Sequence, residues 1–199
     1  DWEKWRKDVA ELENLRIERC YKSKNLEVKE KSLVCFSDAS GIGYGSAFYL
    51  RQVFVDGSIE VRLVMGKSRV SPIKPSTIPR LELTDATTSV KHSAMVKKEL
   101  DCNDIKCNYL TDSTIVLGYI TNVQTRFRVF VANRVKTICD HSEPSEWSHV
   151  ATDKNPADYA SRGISVKETG QLNCWLYGPS FLLESKICSS LRWLEHPLC

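Results

Sequence analysis

The chain has 199 residues, of which 42% are hydrophobic and 27% charged, and its net charge is +3. These values are typical of a soluble globular protein with one domain of ordinary size plus extensions. No long uncharged apolar run is present, so no transmembrane helix is expected, and the first residues do not form a signal peptide. Because no initiator Met is present, we expect a fragment of a longer intracellular protein.

The first residues have a pattern typical of an amphipathic helix, which we predict over residues 2–17. Apolar side chains recur there at helical spacing, with charged residues between them: Trp2, Trp5, Val9, Leu12 and Leu15. This stripe needs a partner, so we expect it to pack on the main domain or on the other end of the chain. The polar, lysine-rich residues 21–31 are predicted to be a linker.

Three successive strands are predicted next. Residues 33–36 are a continuous apolar run, which is typical of a strand buried on both faces. The strands predicted at 44–55 and 59–65 are separated by Asp56-Gly57, a hairpin-turn signal. Closely spaced strands of this kind form an antiparallel meander. The basic, proline-containing residues 66–79 are predicted to be a loop.

The second half of the chain alternates helices with strands. Helices are predicted over residues 80–100, 113–120, 128–139 and 155–161, and strands over 107–110 and 146–150. Asn155 is a candidate N-cap of the last helix, with Pro156 at its first position. Strands that alternate with helices favour parallel pairing with the first strand. We therefore predict an α/β fold with a five-stranded mixed sheet flanked by helices.

These patterns divide the chain into three parts. We expect an N-terminal helix and linker over residues 1–31, an α/β domain over 32–166 and a tail over 167–199. The tail contains Trp175, Phe181 and Trp193, and is too aromatic to be pure disorder. Its apolar side chains are also expected to pack on the domain.

The eight cysteines are predicted to be mostly reduced thiols. None belongs to a Cys-x-x-Cys pair, and a core of this size does not need disulfides. A zinc site formed by Cys174, Cys188 and His196 is an alternative, but these residues lack the usual ligand spacing.

Four acidic residues lie where predicted strands end or predicted helices begin. Asp38 and Asp112 end apolar runs, and Glu82 and Asp158 lie near the starts of helical patterns. Each alone has an ordinary alternative as a turn residue, a helix cap or a surface acid. Gathered in the crevice at the strand ends, however, carboxylates repel one another unless cations hold them, and hard oxygen ligands suit Mg²⁺. The four together predict a two-metal, phosphodiester-cleaving site.

Seven short motifs surround and connect these acids. In chain order they are FSDAS at 36–40, KSRV at 67–70, IPRLEL at 78–83, TDSTIVLG at 111–118, VANRV at 131–135, WSHV at 147–150 and NPADYASRG at 155–163. The order of the acids is similar to that of ribonuclease H. The motifs resemble the reverse-transcriptase-linked ribonuclease H of BEL/Pao long-terminal-repeat retrotransposons, and residues 175–182 resemble the segment that follows it in those polyproteins.

The resemblance implies hydrolysis of the RNA strand of RNA–DNA hybrids with two Mg²⁺ ions, for which Mn²⁺ can substitute. One ion would activate the attacking water and the other would stabilise the leaving 3′ oxygen, at a separation of about 4 Å. Asp38 would bridge both ions, Glu82 and Asp112 would bind the ion on the leaving-group side, and Asp158 the ion on the nucleophile side.

The resemblance also implies partners and a location. The reverse transcriptase and integrase regions of the same polyprotein are the expected partners, and no membrane is involved. The expected location is intracellular: cytoplasmic, in a virus-like particle, or nuclear.

Several further residues belong to the implied site. His149 is a candidate for proton shuttling or product release, with a strand-end histidine satisfied by the backbone as an equal alternative. RNA selectivity requires groups that read the 2′-hydroxyl across the minor groove, a role implied for Glu82, Ser113 and the backbone near Ser40. The implied substrate-binding residues are Ser40, Arg80, Ser113, Asn133, Arg134, Asn155 and Arg162.

Two basic stretches suit a polyanionic substrate. Residues 61–80 and 121–139 contain lysines and arginines but no acid. Basic segments next to an acidic site fit a polyanion held beside a metal centre, although each stretch alone is better explained as an ordinary solvated face.

The sequence departs from the resemblance at two points. Asp85 follows Glu82 by three residues, where an apolar or small residue is more usual, and it is interpreted as a solvated or capping residue or as an outer carboxylate of the site. The long basic insertion that some cellular ribonucleases H carry between two helices is missing between residues 113 and 128, which predicts weak autonomous binding of the hybrid.

Two other functions remain alternatives. One is a DNA-cutting integrase or transposase core, whose final acid is usually Glu and in which Glu82 would have no role. The other is a non-catalytic connection domain that binds nucleic acid.

Overall fold

The centre of the fold is a single mixed β-sheet. The structure is a computed structural model, which describes residues 2–18, 20–21, 26–122, 124, 126–165 and 168–185. The strands are β1 (Val28–Ala39), β2 (Gly43–Phe54), β3 (Ile59–Val70), β4 (Lys106–Thr111) and β5 (Trp147–His149). Their spatial order is β3-β2-β1-β4-β5. Pairing is antiparallel between β1, β2 and β3, and parallel between β1, β4 and β5. The predicted five-stranded mixed sheet is confirmed.

Helices flank this sheet. The α-helices of the described part of the chain are α1 (Trp2–Ala10), α2 (Ile78–Glu99), α3 (Thr114–Thr121), α4 (Val129–Cys139), α5 (Ala157–Arg162) and α6 (Thr169–Tyr177). Short 3-10 helices occupy Glu11–Asn14, Pro144–Glu146, Thr152–Lys154 and Ser180–Leu183. Pro79 lies in the first turn of α2, where its missing N–H costs no hydrogen bond. No helix in the described ranges is long and apolar enough to cross a bilayer.

Both faces of the sheet are covered, which explains the continuous apolar run in β1. On one face, Leu33 and Cys35 pack with the buried side of α2 and with α3 and α4. On the other, Val34 and Phe36 pack with α5 and with residues of the tail. Because burial of a large apolar side chain contributes about 1.5–3 kcal/mol, these two layers fix β1 as the central strand.

Two strands are longer than predicted. β1 begins at Val28, so the predicted linker is wrong over residues 28–31, which pair with the end of β2. β3 continues to Val70, so the predicted loop is wrong over residues 66–70. These five residues are exposed on an edge strand, where charged side chains such as Lys67 and Arg69 are tolerated and discourage pairing with other chains.

The N-terminal helix is shorter than predicted. α1 ends at Ala10, and the chain continues through a 3-10 turn to an extended Leu15, although neither Pro nor Gly interrupts residues 2–17. Trp2 and Trp5 stack on each other with ring centroids 4.9 Å apart, and more than half of each side chain is exposed. The predicted packing of this stripe on the domain is therefore wrong for these two residues.

The tail packs against β2, as predicted, over the part that the structure describes. The Tyr49 hydroxyl donates to the Trp175 carbonyl at 2.8 Å. Arg51 donates through Nε to the Leu182 carbonyl at 2.8 Å, and Phe181 is buried against Phe36. Tail residues up to Leu182 thus complete the core on this face of the sheet.

The cysteines of the described residues are free thiols, as predicted: Cys20, Cys35, Cys102, Cys107, Cys139 and Cys174. Cys188, His196 and Trp193 lie outside the described residues, so the zinc alternative stays a prediction.

Candidate active site

Two of the four acids lie side by side at one edge of the sheet. β1 and β4 are parallel neighbours, and Ser37 of β1 pairs with Thr111 of β4. Asp38 and Asp112 are the next residues of the two strands' segments, so both follow the last position paired between β1 and β4, while Asp38 still pairs with Gly45 of β2. The carboxyl ends of these strands form the crevice that the sequence predicted.

Asp38 is buried beneath this edge, with only 6% of its surface exposed. The Ser161 hydroxyl of α5 donates a hydrogen bond to Asp38 Oδ2. Burial raises the pKa of the Asp38 carboxyl, and the nearby negative charges of Asp112 and Asp158 raise it further, whereas the bond from Ser161 opposes them. The pKa of Asp38 is therefore affected by the charges of Asp112 and Asp158.

Glu82 approaches the same edge from helix α2 and is half-buried. The Ser113 hydroxyl donates to Glu82 Oε2 at 2.7 Å and accepts the backbone N–H of Val116 at 3.2 Å, which caps α3. Burial raises the pKa of Glu82, as do the charges of Asp112 and Asp38, and the bond from Ser113 lowers it. Ser113 thus joins Glu82 to the start of α3.

The third acid, Asp112, is held from the loop before α5. Thr152 Oγ1 donates to Asp112 Oδ2 at 2.8 Å. The buried Asn155 donates through Nδ2 to the Ser37 carbonyl at 3.1 Å and lies 3.5 Å from Asp112 Oδ1. α5 begins two residues later than predicted, at Ala157, but Asn155 Oδ1 still accepts the N–H of Ala157 at 3.1 Å, as expected of a cap. Asn155 is thereby a link between β1, Asp112 and α5.

Asp158 and Arg162 form an ion pair along α5. Arg162 Nε lies 2.5 Å from Asp158 Oδ1, and both side chains are partly exposed. The carboxylate raises the pKa of Arg162 further. Arg162, implied as a substrate contact, is therefore engaged with an acid of the candidate site.

His149 and Ser40 flank the acids at strand ends. His149 ends β5 and pairs with Thr111, the residue before Asp112. The N–H of Ser40 donates to the Gly43 carbonyl at 2.7 Å, and its hydroxyl donates to the Ser161 carbonyl at 3.0 Å. Both groups of Ser40 are thus used in holding the β1–β2 turn against α5.

A basic and aromatic cavity lies next to the N-terminus of α2. It has a volume of about 330 Å³ and is lined by Thr77, Arg80, Tyr119, Arg126, Arg128 and Phe130, among others. The Arg134 guanidinium lies 3.5 Å from the centroid of the Phe130 ring and donates to Thr84 Oγ1 at 3.1 Å. Arg80 also faces this ring, at 5.1 Å. Asn133, implied as a further contact, is exposed on α4.

Asp85 is buried, whereas the sequence favoured a solvated or capping residue at this position. It is neither solvated nor capping, because it lies in the buried stripe of α2 with 2% of its surface exposed. Its Oδ2 accepts the Ser46 hydroxyl at 2.9 Å and the backbone N–H of Asp38 at 3.3 Å. Burial raises its pKa well above the usual range. Its spacing among Leu81, Ala86 and Ser89 was the signal that could have revealed this burial.

The four acids fit a divalent cation in donor type and charge. Asp38, Glu82, Asp112 and Asp158 are hard oxygen ligands, and burial, together with the charges of neighbouring acids, raises the pKa of Asp38 and of Glu82. Among the described residues, no three His, Cys, Asp or Glu side chains are grouped closely enough to hold a metal ion. Each of the four acids instead accepts a hydrogen bond from a hydroxyl or a guanidinium.

Comparisons with known proteins identify relatives of this chain. A family model described as "Pao retrotransposon-like RNaseH-like domain" matches residues 1–113 of the 199. A comparison with curated proteins finds no match.

Several solved structures are similar in fold. The N-terminal RNase H domain of rv2228c from Mycobacterium tuberculosis, fused to maltose binding protein, is 12% identical over 73% of this chain and 96% of its own, with a TM-score of 0.42. RNase H1 from Halobacterium salinarum is 12% identical over 72% of this chain and 98% of its own, with a TM-score of 0.40. LC11-RNase H1 in complex with an RNA/DNA hybrid is 12% identical over 70% and 99%, with a TM-score of 0.45.

Sequence and topology lead to the same family. The sheet order β3-β2-β1-β4-β5 with helices on both faces accompanies a match to a model of an RNaseH-like domain. The family match covers more than half of the chain and includes Asp38, Glu82 and Asp112. The chain therefore belongs to the family of Pao retrotransposon-like RNaseH-like domains.

Proposed function

We propose that this chain is a ribonuclease H that cleaves the RNA strand of RNA–DNA hybrids internally during reverse transcription of a retrotransposon. The observation that carries the proposal is the placement of Asp38 and Asp112 side by side after β1 and β4, with Glu82 on α2 and Asp158 on α5 close enough to interact with them electrostatically. Asp38 interacts with Asp112 and Asp158, and Glu82 with Asp112 and Asp38. Several carboxylates close together near a basic surface are typical of a site that acts on phosphates with the help of cations.

Asp38, Glu82, Asp112 and Asp158 would hold two Mg²⁺ ions, or Mn²⁺ in their place. Bound there, the ions would supply Lewis acidity for the attacking water and for the leaving 3′ oxygen. Hydrogen-bond donors of the chain orient the carboxylates: the Ser113 hydroxyl orients Glu82, and the Thr152 hydroxyl orients Asp112. Arg162 neutralises Asp158 in the absence of cations.

The basic and aromatic cavity beside α2 is the proposed contact for the hybrid's phosphates. Arg80 lies in the first turn of α2, the helix that carries Glu82, so a strand held at Arg80 would lie within about one helical turn of this acid along the helix axis. Arg134 is held against Phe130 and Thr84, which reduces the entropy lost on binding a phosphate. Asn133, Arg162 and Asn155 remain proposed contacts, and Glu82 and Ser113 are proposed to read the 2′-hydroxyl. His149 is proposed to assist proton transfer or product release.

The reverse transcriptase and integrase regions of one polyprotein are the proposed partners, in a cytoplasmic virus-like particle or in the nucleus. The domain boundaries at residues 31/32 and 166/167 are part of the same proposal.

A non-catalytic nucleic-acid-binding domain is the second candidate. It is favoured by one observation: the carboxylates of the described residues are engaged by internal donors and not grouped as a metal site. Incubation of the chain with labelled RNA–DNA hybrid, RNA duplex and DNA duplex, with and without Mg²⁺, separates the candidates. We expect Mg²⁺-dependent cleavage of the hybrid's RNA strand alone. Cleavage of the DNA duplex would favour an integrase-like nuclease, and binding without cleavage the non-catalytic domain.

Replacement of Ser113 by Ala tests the link between Glu82 and α3. Loss of the cap is expected to lower the free energy of unfolding by about 1 kcal/mol. Loss of the bond to Glu82 raises the pKa of that carboxyl further, so the acidic limb of the pH–rate profile for hybrid cleavage should move to higher pH. Ser113→Thr keeps the hydroxyl and should behave like the wild type. An unmoved acidic limb in the Ala variant would contradict the assignment.

Replacement of Arg134 by Ala tests the proposed phosphate contact. We expect weak hybrid binding in the wild type with a shallow salt dependence, and loss of one contact should reduce the log–log salt slope by about 0.9. The matched control is Lys136→Ala on the same helix, because Lys136 is exposed and paired with Asp140. Binding measured by fluorescence anisotropy at several salt concentrations would reject the contact if both variants kept the wild-type slope.

A further inference from the structure

We propose that Asp85 is a positioning residue that fixes the end of β1, and with it Asp38, against helix α2. The inference rests on the ribonuclease activity proposed above, since it assigns Asp85 a part in that site. Asp85 would touch neither the substrate nor a cation, and would act only through Asp38.

One carboxylate oxygen joins three elements of the fold at this point. Asp85 lies on α2, and its Oδ2 accepts the Ser46 hydroxyl of β2 at 2.9 Å and the Asp38 N–H of β1 at 3.3 Å. Ser46 pairs with Ser37, the residue before Asp38, and is fully buried. Asp85 therefore contacts the end of the β1–β2 ladder from helix α2.

The contact lies where pairing with β4 stops, while pairing with β2 continues through Asp38 to Ala39. β4 ends at Thr111, which pairs with Ser37, so the parallel ladder ends one residue before Asp38. The acceptor from α2 at the Asp38 N–H adds a contact from the helix layer at a residue that β2 alone still pairs with in the sheet. That residue is the one whose side chain belongs to the acidic cluster.

The same contact sets the position of Glu82 relative to Asp38. Glu82 precedes Asp85 by three residues, so the two lie on neighbouring positions of α2. A bond between Asp85 and the end of β1 thus fixes the distance between the helix that carries Glu82 and the strand that carries Asp38. Residues that orient the ligands of a metal site in this way typically change its affinity or activity by about 10–100-fold when removed.

An alternative is that Asp85 only stabilises the fold. Burial of a carboxyl is unfavourable unless it is hydrogen-bonded, and both donors to Asp85 come from the segment at the site. A purely structural role predicts that activity falls only as far as stability falls. A positioning role predicts a loss of turnover beyond the loss of stability, with rescue by a residue that can accept the same bonds.

The experiment compares Asp85→Ala, Asp85→Asn and Ser46→Ala in the full chain. The measurements are kcat and KM on an RNA–DNA hybrid, the Mg²⁺ concentration for half-maximal activity, the melting temperature, and hydrogen exchange of the Asp38 amide by NMR. Ser93→Ala is the structural control, because the Ser93 hydroxyl lies 2.6 Å from the Tyr109 hydroxyl on the same buried side of α2.

We expect Asp85→Ala to lower kcat about 10–100-fold at unchanged KM, to raise the Mg²⁺ requirement, and to accelerate hydrogen exchange of the Asp38 amide, which keeps only its place in the β1–β2 ladder. Asp85→Asn should stay within a few-fold of the wild type, since its Oδ1 can accept both bonds. Ser46→Ala should keep the amide protected, and Ser93→Ala should lower stability without changing kcat.

Two results would overturn the inference: an Asp38 amide that exchanges at the wild-type rate in Asp85→Ala, or a kcat loss no larger than that of Ser93→Ala at equal loss of stability. Failure of the proposed function looks different. A wild-type chain that cleaves no hybrid with Mg²⁺ or Mn²⁺ would reject the ribonuclease, while faster exchange of the Asp38 amide in Asp85→Ala alone would still support the positioning contact.

Discussion

Replacement of Asp38 by Asn should abolish cleavage of RNA–DNA hybrids and leave the fold intact. Asp38 is the acid that interacts electrostatically with the other three of the cluster, and it lies at the end of the central strand. Cation-dependent charge stabilisation contributes several kcal/mol to such reactions, and each 1.4 kcal/mol corresponds to about a factor of ten in rate. We therefore expect a loss of about 1,000-fold or more in kcat, measured with labelled hybrid at saturating Mg²⁺.

The same variant should be at least as stable as the wild type without divalent cations. Burial and the neighbouring acids raise the pKa of Asp38 above its value in the unfolded chain. The folded state therefore binds more protons between the unfolded and the folded pKa, and stability falls as the pH rises through that window. A neutral Asn side chain at this position removes the penalty. The advantage of the variant should be largest at neutral pH and should disappear as the pH falls towards the unfolded value of about 3.9.

Asp104→Asn is a suitable control for both measurements. Asp104 is exposed in the turn before β4, at the edge of the sheet opposite to Asp38. It should keep the wild-type turnover and pH dependence of stability. Near-normal turnover in Asp38→Asn would remove the basis for the acidic cluster as a catalytic site, and a large loss of stability would show that Asp38 has a structural role.

The sheet could be predicted from the sequence because its signals are local. The apolar run at residues 33–36, the Asp56-Gly57 turn and the alternation after residue 80 each fix one element, and right-handed connections leave few ways to assemble them. The ends of the strands were less predictable. Lys67 and Arg69 resemble loop residues because they lie on an exposed edge strand, where charge is compatible with pairing.

The positions of the acids could also be predicted from local signals, whereas the residues that donate hydrogen bonds to them or accept from them could not. Asp38 and Asp112 directly follow apolar runs, so the topology alone brings them to one edge. Ser161, Asp85 and Thr152 support them across 123, 47 and 40 residues of sequence, respectively. No local periodicity encodes such contacts. Asp85 was misjudged because an acid on a helix is usually exposed, and only the packing of α2 on β1 and β2 shows that it is buried.

Removal of the tail, residues 168–199, should cause the domain to unfold or aggregate. α6 and the 3-10 helix Ser180–Leu183 cover the face of the sheet that contains Phe36 and Tyr49. The buried Arg51 would also lose its acceptors, the carbonyls of Leu182 and Glu184 at 2.8 and 2.6 Å. The two buried side chains Phe181 and Leu182 alone contribute about 1.5–3 kcal/mol each. The loss of these two buried side chains, together with an unpaired guanidinium, is comparable to the lower part of the stability range of a typical domain, which is about 5–15 kcal/mol.

A pair of adjacent leucines makes this prediction quantitative. Leu182 is fully buried, whereas 54% of Leu183 is exposed. Leu182→Ala should lower the free energy of unfolding by about 2–5 kcal/mol, and Leu183→Ala by less than about 0.5 kcal/mol, measured by urea denaturation. Removal of residues 1–14 should cost little, because Trp2 and Trp5 are largely exposed. If the chain without residues 168–199 melted at the wild-type temperature and stayed monomeric on size-exclusion chromatography, the tail would be only a linker. The ribonuclease H-like core would then be complete without it.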